Sequence, residues 1–476
     1  MFGHRSATAF AAVLGSLLRG HGYVPLNPVF PPERTQAMLR RSGCSSVVVD
    51  PTALGLLGAV LEGVEQPLLL LVPDQADVSA LAARWPRHRW LGSADLASPS
   101  SWQAPATDPD AMAYLLFTSG STGDPKGVMV AQRNVTHFVD CMVERYGIDE
   151  HDRFSQTFDL TFDLSAFDMF VAWERGACLC VPTAGQKLLP GKYISDCALT
   201  LWFSVPSTVA LMSRLRMLKP GRYPQLRWSL FCGEALPVEL AQKWAQAAPR
   251  STLENLYGPT ELTIACTLYR WDPERSPGES ELGLVPIGEP YPGMSVLVAD
   301  ESLREVAPGE TGELLMTGPQ LSLGYYRDEK RTAAAFVVPE GRHEVHYRTG
   351  DRVRRPAPGR PLVYLGRMDN QIKIQGYRVE LGEIEAAARA EAGVETAIAV
   401  GWPVTSSGAD GIVVFVGDEC CDVAALRARL LARLPPYMHP SEVRAVGSFP
   451  LNPNGKVDRN ALRQLLGEPR AGGADQ

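Results

Sequence analysis

The sequence lacks several features that would place a protein in a well-defined class. Its nine cysteines are scattered without CxxC pairs or a zinc-binding spacing, and Cys420 and Cys421 are adjacent, so neither a disulfide framework nor a zinc finger is indicated. No apolar run is long enough to span a bilayer, and a net charge of −7 gives no electrostatic reason to expect nucleic acid. These absences favour a reduced, cytoplasmic compartment and a partner that is neither a nucleic acid nor a membrane.

A chain of 476 residues is too long for one ordinary core, so two or more domains are expected. Its hydrophobic content of 45% and charged content of 21% are typical of globular proteins. Residues 7–18 are apolar and follow His4 and Arg5, a pattern shared by short signal peptides and by buried or amphipathic helices. A helix is favoured, because the strand-like YVPL follows with no clear processing site.

Strand and helix patterns alternate through the first 300 residues or so. Short continuous apolar runs at 46–50, 68–72 and 114–117 are typical of strands in buried sheets. A helical pattern at 34–41 precedes these runs, and another at 78–84 lies between the second and the third. From about residue 282 glycine and proline become frequent, and short alternating strands indicate β-rich packing. The sequence therefore predicts an α/β fold with a large N-terminal lobe of α/β subdomains plus a β-rich subdomain.

The last hundred residues predict a small, separate α+β lobe. Its predicted strands are 371–374, 397–400 and 413–416, and its predicted helices are 383–390 and 424–434. The tail from Gly467 is rich in small and polar residues, which is typical of disorder. The sequence shows neither an internal repeat nor a coiled coil.

The segment most informative about function is 114–128, YLLFTSGSTGDPKGV. A strand-like stretch opens into a loop that can present several backbone N–H groups and hydroxyls to one anion, and glycines allow the backbone shapes this requires. Lys126 adds a cation, so a polyphosphate is the natural ligand. The order differs from the Walker loop, because Lys126 follows Pro125 and precedes Gly127. A flexible surface loop is the alternative interpretation.

Two further motifs carry chemically useful side chains. In NLYGPTELT, residues 255–263, Tyr257 can lie against a planar base, and Glu261 is a hard oxygen ligand for Mg²⁺. In YRTGDRV, residues 347–353, Asp351 can accept hydrogen bonds from both hydroxyls of a ribose. Each motif alone is equally compatible with an ordinary turn.

These three motifs are followed by GRMDNQIKIQGYRVELGEIE at 366–385 and NPNGKVD at 452–458. All five, in this order and spacing, resemble the acyl-adenylate-forming superfamily of acyl-CoA synthetases, luciferases and nonribosomal peptide synthetase adenylation domains. The resemblance implies an adenylation core at 1–366, a hinge at 367–370, a mobile C-terminal lobe at 371–466 and a disordered tail at 467–476. One segment departs from the pattern: GYVPLNPVFPPER begins at Gly22, several dozen residues earlier than in relatives, so we expect a shortened N-terminal lobe.

The resemblance implies ATP and Mg²⁺ as cofactors and assigns side chains to the phosphates and the metal. The phosphates would be held by Thr118, Ser119, Gly120, Ser121, Thr122, Gly123, Lys126 and Thr260. Glu261 would carry the metal. Lys456 would be the catalytic lysine, because an ammonium ion there stabilises charge developing as a carboxylate attacks the α-phosphorus. Asp369 would be the residue about which the C-terminal lobe turns.

The same resemblance assigns the rest of the nucleotide. Adenine would be held by Gly233, Glu234, Asn255, Tyr257 and Gly258. The ribose would be held by Asp351 and Arg367.

Residues 162–170, FDLSAFDMF, bear on the substrate. In the amino-acid-activating branch this segment lines the substrate pocket, and Asp163 would pair with the α-ammonium group. A buried carboxylate without a partner is costly, so its presence implies a cationic ligand. A helix-capping role for Asp163 is the alternative, and Asp159 is a neighbouring carboxylate that could be mistaken for it.

The rest of the implied pocket wall is mostly apolar. Its members would be Leu164, Phe167, Ser204, Leu230, Cys232, Leu256, Ile264 and Ala265. Four of them are bulky, so a small neutral amino acid is expected. Alanine is favoured, because FDLSAFD and FCGEALP are similar to the D-alanine–carrier-protein ligases; proline, serine and glycine stay open.

The expected activity is ATP-dependent formation of an aminoacyl-AMP, followed by transfer to the phosphopantetheine thiol of a separate carrier protein in natural-product (antibiotic) biosynthesis. No carrier-like domain follows in the sequence. Arg427, Arg429 and Arg433 are a candidate docking face for an acidic carrier, with a merely solvated helix face as the alternative. Two other functions stay open, an acyl-CoA synthetase and a non-catalytic nucleotide-binding protein. Asp163 argues against the first, and the full motif set argues against the second.

Overall fold

The computed structural model describes residues 1–118, 125–368, 371–405, 408–451 and 457–467. Among residues given a role above, those outside these ranges are Ser119, Gly120, Ser121, Thr122, Gly123, Asp369 and Lys456. The described chain forms two compact units, one of 1–118 with 126–368 and one of residues beyond 370. Within these ranges, no helix is long and apolar enough to cross a membrane.

The larger unit contains two sheets in which parallel pairing dominates. The first has three parallel strands, β1 (Ser46–Val48), β2 (Leu69–Val72) and β3 (Arg89–Gly92). A hairpin follows, β4 (Met112–Thr118) and β5 (Lys126–Ala131). The second sheet has the order β12-β11-β10-β9-β8-β6-β7 and is built from β6 (Arg153–Ser155), β7 (Cys178–Cys180), β8 (Leu201–Ser204), β9 (Trp228–Phe231), β10 (Thr252–Tyr257), β11 (Thr267–Arg270) and β12 (Glu289–Pro290). From β7 to β10 all neighbours are parallel, and β8 is buried along its whole length, as expected for a sheet covered on both faces.

The region from about residue 282 is β-rich, as the sequence predicted, and its strands from residue 295 form an antiparallel sheet. Its strands are β13 (Ser295–Ala299), β14 (Thr311–Thr317), β15 (Phe336–Val337), β16 (His346–Arg354) and β17 (Val363–Arg367). Glycine, proline and alternating apolar residues are typical of short strands separated by tight turns. This is why the change in composition at about residue 282 could be recognised in the sequence.

Helices cover the sheets of the larger unit. They are α1 (Ala7–Leu18), α2 (Pro32–Ser42), α3 (Leu54–Leu61), α4 (Ser79–Arg84), α5 (Gln132–Tyr146), α6 (Leu164–Ala166), α7 (Ala172–Glu174), α8 (Ala184–Leu188), α9 (Pro190–Asp196), α10 (Pro206–Arg214), α11 (Val238–Ala247), α12 (Ser276–Glu279) and α13 (Glu329–Ala335). A π-helical segment, Phe167–Val171, joins α6 to α7, and short 3₁₀ turns occur at Ser93–Asp95, Pro99–Ser101 and Thr260–Leu262. The apolar segment 7–18 is a helix, with the Ser6 hydroxyl accepting from the Ala9 N–H at its N-terminus.

The smaller unit has its own core and an α+β composition. It contains strands β18 (Gln371–Ile374), β19 (Tyr377–Glu380), β20 (Ala397–Gly401), β21 (Val404–Thr405), β22 (Gly408–Ala409), β23 (Ile412–Val416) and β24 (Glu442–Ala445). Its helices are α14 (Leu381–Ala392), α15 (Val423–Arg433), α16 (Arg459–Gly467) and a 3₁₀ turn, Pro436–Met438. The central sheet has the order β20-β23-β24, and its inward side chains pack against α14 and α15. The five predicted elements are present, whereas β19, β24 and α16 were not predicted.

The arginines considered as a carrier-docking face are engaged within the smaller unit. Arg429 and Arg433 both contact the Glu391 carboxylate, at 3.4 and 2.8 Å. Arg427 donates from Nε to the Pro440 carbonyl at 3.1 Å. Arg429 and Arg433 keep about half of their side-chain surface exposed, as the solvated-face alternative expects, and the docking role stays a prediction.

Candidate active site

Three neighbouring parallel strands end at the same edge of the seven-stranded sheet, and they place the base-binding motifs there. In the register, Ser204 at the end of β8 pairs with Phe231 of β9, which in turn pairs with Asn255 of β10. The chain segments that follow these strands contain Gly233 and Glu261. Ligands of open α/β sheets bind at such carboxyl ends, so the strand order brings the predicted nucleotide residues together.

Lys126, Glu261 and Tyr325 form a buried polar cluster. The Lys126 ammonium lies 3.0 Å from Glu261 Oε1 and 3.0 Å from the Tyr325 hydroxyl, which itself donates to Glu261 Oε1 at 2.7 Å. Lys126 Nζ also lies 4.6 Å from the centre of the Tyr325 ring, within cation–π range. The predicted phosphate cation and the predicted metal carboxylate are therefore direct neighbours.

Sequence reasoning missed Tyr325. Its only signal is a tyrosine that follows Gly324 in the run GPQLSLGYY, which gives no hint that the hydroxyl reaches Glu261. Thr118, at the end of β4, pairs with Lys126 in the hairpin. Its hydroxyl oxygen is buried and has no hydrogen-bond partner within the described part of the chain. This hydroxyl is thus available to an oxygen of a bound phosphate.

A second cluster joins the base motif to the ribose motif. The Tyr257 hydroxyl donates to Asp351 Oδ2 at 2.5 Å, and Arg367 Nη1 donates to Asp351 Oδ1 at 2.8 Å. Asp351 and Arg367 are paired residues of β16 and β17, so the sheet register sets this contact. Burial, and secondarily the Asp351 charge, raise the pKa of Tyr257 well above its ordinary value, so its hydroxyl stays a donor.

Asn255 offers an unfilled acceptor in the same region. Its amide nitrogen donates to the Pro286 carbonyl at 2.9 Å, which orients the side chain. Its Oδ1 is buried and has no partner among the residues the structure describes. A buried acceptor of this kind can receive the amino group of a purine base.

The glycines and Glu234 have geometric roles that the motifs alone did not reveal. Gly233 has φ +89°, a conformation that side chains disfavour. A Cβ at Gly258 would lie 2.5 Å from the Ala265 Cα, so only glycine permits this close approach of two backbones. The Glu234 carboxylate accepts from the Ser207 N–H at 2.8 Å in the first turn of α10, which adds a favourable charge at that helix terminus.

Asp163 is buried and points toward the segment after the YGPTE motif. Its Oδ2 accepts from the Ile264 N–H at 3.3 Å. Asp163 precedes α6, yet its side chain makes no capping hydrogen bond there, so the helix-cap alternative is not what the structure shows. Burial, and then the charge of Asp163, raise the pKa values of Tyr23 and Tyr114, which places both phenols near this carboxylate.

Seven of the eight predicted pocket-wall residues belong to one buried apolar cluster. They are Leu164, Phe167, Leu230, Cys232, Leu256, Ile264 and Ala265. Ser204 differs, because its hydroxyl accepts from Trp202 Nε1 at 3.0 Å, and Trp202 belongs to the cluster on the other face of the sheet. Successive residues of a strand face opposite ways, so Phe203 rather than Ser204 faces the seven. The Ser204 hydroxyl is therefore turned away from the seven cluster residues. Phe203, which faces them, was not among the residues predicted from the sequence.

Asp168 is a second buried carboxyl in the FDLSAFDMF segment that sequence reasoning did not include. It is fully buried, and burial raises its pKa well above the ordinary value, with Arg5 only partly opposing the shift. The folded protein therefore holds Asp168 protonated under conditions in which an unfolded chain would ionise it.

We expect this buried acid to make folding stability fall as pH rises. The unfolded carboxyl releases its proton above about pH 3.9, so folding takes up a proton until the raised folded pKa is reached. Asp168→Asn removes this dependence. In urea unfolding, the stability of the variant relative to wild type should rise with pH above about pH 3.9, by up to about 1.4 kcal/mol per pH unit, until the folded carboxyl ionises. Parallel stability curves for the two proteins would show that Asp168 is ionised in the folded state.

Comparison with known proteins agrees with this geometry. Residues 1–326 match the model of the AMP-binding enzyme family, and residues 383–456 match that of the AMP-binding enzyme C-terminal domain. The fold and site define an adenylation-type protein with a large N-terminal and a small C-terminal lobe. The chain belongs to the AMP-binding enzyme family, which confirms both the predicted fold class and the resemblance to adenylation domains.

Individual relatives cover the chain almost completely. The chain is 33% identical over 476 residues to the L-proline--[L-prolyl-carrier protein] ligase of Pseudomonas fluorescens, covering 98% of this chain and 89% of the relative. It is 34% identical to a probable non-canonical nonribosomal peptide synthetase, CymA, of Salinispora arenicola, over 96% of this chain. Among solved structures, the Vibrio cholerae adenylation domain AlmE, in complex with glycyl-adenosine-5'-phosphate, is similar with a TM-score of 0.87 and 34% identity, covering 98% of this chain and 88% of AlmE.

Several relatives are much longer than this chain. The chain spans 6% of the Salinispora synthetase and 40% and 18% of two other peptide synthetases. The match therefore shows the family of this chain. The products of the longer synthetases are properties of those proteins and are not assigned to this chain.

Proposed function

We propose that this protein activates a small neutral amino acid as its aminoacyl-AMP and transfers the aminoacyl group to a carrier-protein thiol. The observation that carries the proposal is the buried carboxylate of Asp163, held by the Ile264 N–H beside the apolar cluster. A carboxylate in such surroundings favours a cationic partner, and the α-ammonium group of an amino acid supplies one. A fatty or aryl acid has no ammonium group to offer this carboxylate.

The size of the amino acid is inferred from the predicted pocket wall. Bulky Leu164, Phe167, Leu230 and Leu256 all lie in the same buried cluster, and none of the seven cluster members is charged. Two relatives with small neutral substrates in their names support this inference, one a prolyl-carrier ligase and the other solved with a glycyl adenylate. We favour alanine, with glycine, proline and serine as neighbouring candidates, because one methylene changes affinity by only about 1–3 kcal/mol.

The nucleotide is proposed to bind among the polar groups of the base, ribose and phosphate motifs. Asn255 Oδ1 would receive the adenine amino group, Asp351 and Arg367 the ribose, and the Thr118 hydroxyl a phosphate oxygen. Thr260 and residues 119–123 stay proposed phosphate ligands on the resemblance alone. Glu261 would hold Mg²⁺, which neutralises phosphate charge when bound, and its single buried carboxylate fits a metal whose remaining ligands are phosphates and water.

In the first step, the amino acid carboxylate would attack the α-phosphorus, forming the acyl–phosphate bond as the bond to pyrophosphate breaks. Lys126 would leave Glu261 to face the phosphates, and Tyr325 would keep Glu261 oriented. Lys456 is proposed to stabilise the charge that develops in this step. In the second step a thiolate would attack the acyl carbon and release AMP, after the lobe beyond the proposed hinge at 367–370 has turned about Asp369.

A panel of amino acids in an ATP–pyrophosphate exchange assay tests the proposal. We expect exchange to depend on a small neutral amino acid and to be weak for charged or aromatic ones. The acceptor is then tested by offering coenzyme A and a phosphopantetheinylated carrier protein with the same amino acid. Transfer to coenzyme A alone would favour the acyl-CoA synthetase alternative. ATP binding without exchange for any acid would instead indicate a nucleotide-binding protein without this activity.

A further inference from the structure

Gln320 is a fully buried glutamine that no step of the proposed reaction uses. Its amide nitrogen donates to the carbonyls of Leu262, Thr263 and Ala265, at 3.1, 3.2 and 2.6 Å. The backbone carbonyl of Gln320 also accepts from the Thr263 hydroxyl at 2.7 Å. One residue therefore holds the segment 262–265 through both its side chain and its main chain.

The segment 262–265 has a backbone that needs such support. Thr263 has φ +57° and Ile264 has φ +73°, so two consecutive β-branched residues lie in the left-handed region. Backbone of this kind persists only where its surroundings enforce it. The Ile264 N–H, set by this conformation, is the group that donates to Asp163. The strained turn thus presents a hydrogen-bond donor to the carboxylate on which the proposed function rests.

Helix α5 orients Gln320. Because the amide nitrogen is committed to three carbonyls, Gln320 Oε1 must accept from its other neighbour, His137 Nδ1, at 3.2 Å. His137 Nδ1 therefore carries a hydrogen. One turn earlier, Asn134 Nδ2 donates to the carbonyls of Pro319 and Leu321, at 2.6 and 3.0 Å. Residues three apart lie on one helix face, so the same face of α5 is hydrogen-bonded to Gln320 and to the residues on both sides of it.

We propose that Gln320, oriented by His137, is a positioning residue that fixes the segment 262–265 and thereby the substrate-facing geometry of Asp163. The contacts run from His137 of α5 to Gln320, from Gln320 to the Thr263 and Ala265 carbonyls on either side of Ile264, and from the Ile264 N–H to Asp163. Only the role given to Asp163 rests on the proposed function. Loss of the amide should weaken amino acid binding more than ATP binding, because Asn255, Tyr257 and Asp351, to which the base and the ribose are assigned, lie outside the segment 262–265.

Two measurements on the whole protein test this. The first is amide hydrogen exchange in 258–268 without ligands, for Gln320→Met, which keeps length but removes the hydrogen bonds. Exchange there should rise about tenfold or more, since three carbonyls and a strained turn lose their support. The second is the KM for the amino acid, which should rise about tenfold and by more than the KM for ATP. Exchange in 258–268 at the wild-type rate would overturn the proposal, and a loosened segment with an unchanged amino acid KM would overturn its link to Asp163.

Two variants at the neighbouring histidine extend the test. His137→Asn keeps a donor facing Gln320 Oε1 and should resemble wild type, whereas His137→Leu removes the donor and should shift both measurements in the direction of Gln320→Met. Identical behaviour of the two would refute the orienting role of His137. His137→Leu also tests the claim if Gln320→Met does not fold, because it leaves Gln320 in place.

A matched control separates local from general destabilisation. Tyr223→Phe removes a buried hydrogen bond of 3.0 Å to the Met217 carbonyl in the other apolar cluster. It should lower stability without changing exchange in 258–268. If wild type itself shows no amino-acid-dependent exchange of pyrophosphate, the proposed function fails, while the hydrogen-exchange result for Gln320 still decides whether the segment is held as inferred.

Discussion

Asp163→Asn is expected to lower kcat/KM for the amino acid by about 100-fold or more, because it removes the charge that would compensate the buried α-ammonium group. Asparagine can still accept from the Ile264 N–H through its Oδ1, so the segment beside it should keep its place. The KM for ATP should stay close to the wild-type value. Initial rates of ATP–pyrophosphate exchange against amino acid concentration measure the effect.

A neighbouring carboxylate provides the control. Asp159 lies four residues earlier and is bonded to Asn27 and Thr161, outside the apolar cluster that contains the predicted pocket wall. Asp159→Asn should lower stability without changing the amino acid KM. If wild type and Asp163→Asn had equal KM values for the amino acid, Asp163 would not be part of the substrate site. The main reason to expect an amino acid substrate would then be lost.

Glu261→Gln is expected to reduce adenylate formation by at least about 100-fold at ordinary Mg²⁺ concentrations, because the proposed protein ligand for the metal loses its charge. Glutamine can still accept from Lys126 and Tyr325 through its carbonyl oxygen, so the cluster should keep its shape. Part of the activity should return as Mg²⁺ is raised. A titration of exchange rate against Mg²⁺ would show this as a shift of the half-saturating concentration.

Glu254 is a matched control for this variant. It is equally buried, lies on β10 just before the motif, and is paired with Arg145 and Arg270 at 2.6 and 3.0 Å. Glu254→Gln should lower stability, since it removes the charge of a fully buried carboxylate that pairs with two arginines. Its Mg²⁺ titration should overlay that of wild type. If the Mg²⁺ titration of Glu261→Gln also matched that of wild type, this carboxylate would not be the metal ligand.

Much of the fold was predictable because its signals are local. The helix Ala7–Leu18 and the strand Gln371–Ile374 were predicted with the observed bounds, since each is a periodic run with clear ends. Strands β19 and β24 and helix α16 were missed. Their sequences are short or mixed in character, and β24 is defined mainly by pairing with β23, which is distant in sequence. Pairing of that kind leaves no local pattern.

The site was predictable where a motif fixes residue types and unpredictable where tertiary contacts decide. Lys126 and Glu261 were predicted from separate motifs, yet their direct contact, and the part of Tyr325 in it, required the folded chain. Ser204 was placed in the pocket by resemblance, but strand alternation turns its hydroxyl toward Trp202. Gln320 carries no motif at all, and only its three carbonyl partners reveal its position.

The central claim is that this site selects an acid by its ammonium group. It is tested most directly by comparing alanine with propionate, and glycine with acetate, as substrates for ATP–pyrophosphate exchange by the same enzyme preparation. Each pair differs at the carbon beside the carboxylate only by the amino group. We predict exchange with the amino acids and almost none with the acids that lack the amino group. Equal exchange within either pair would contradict the account.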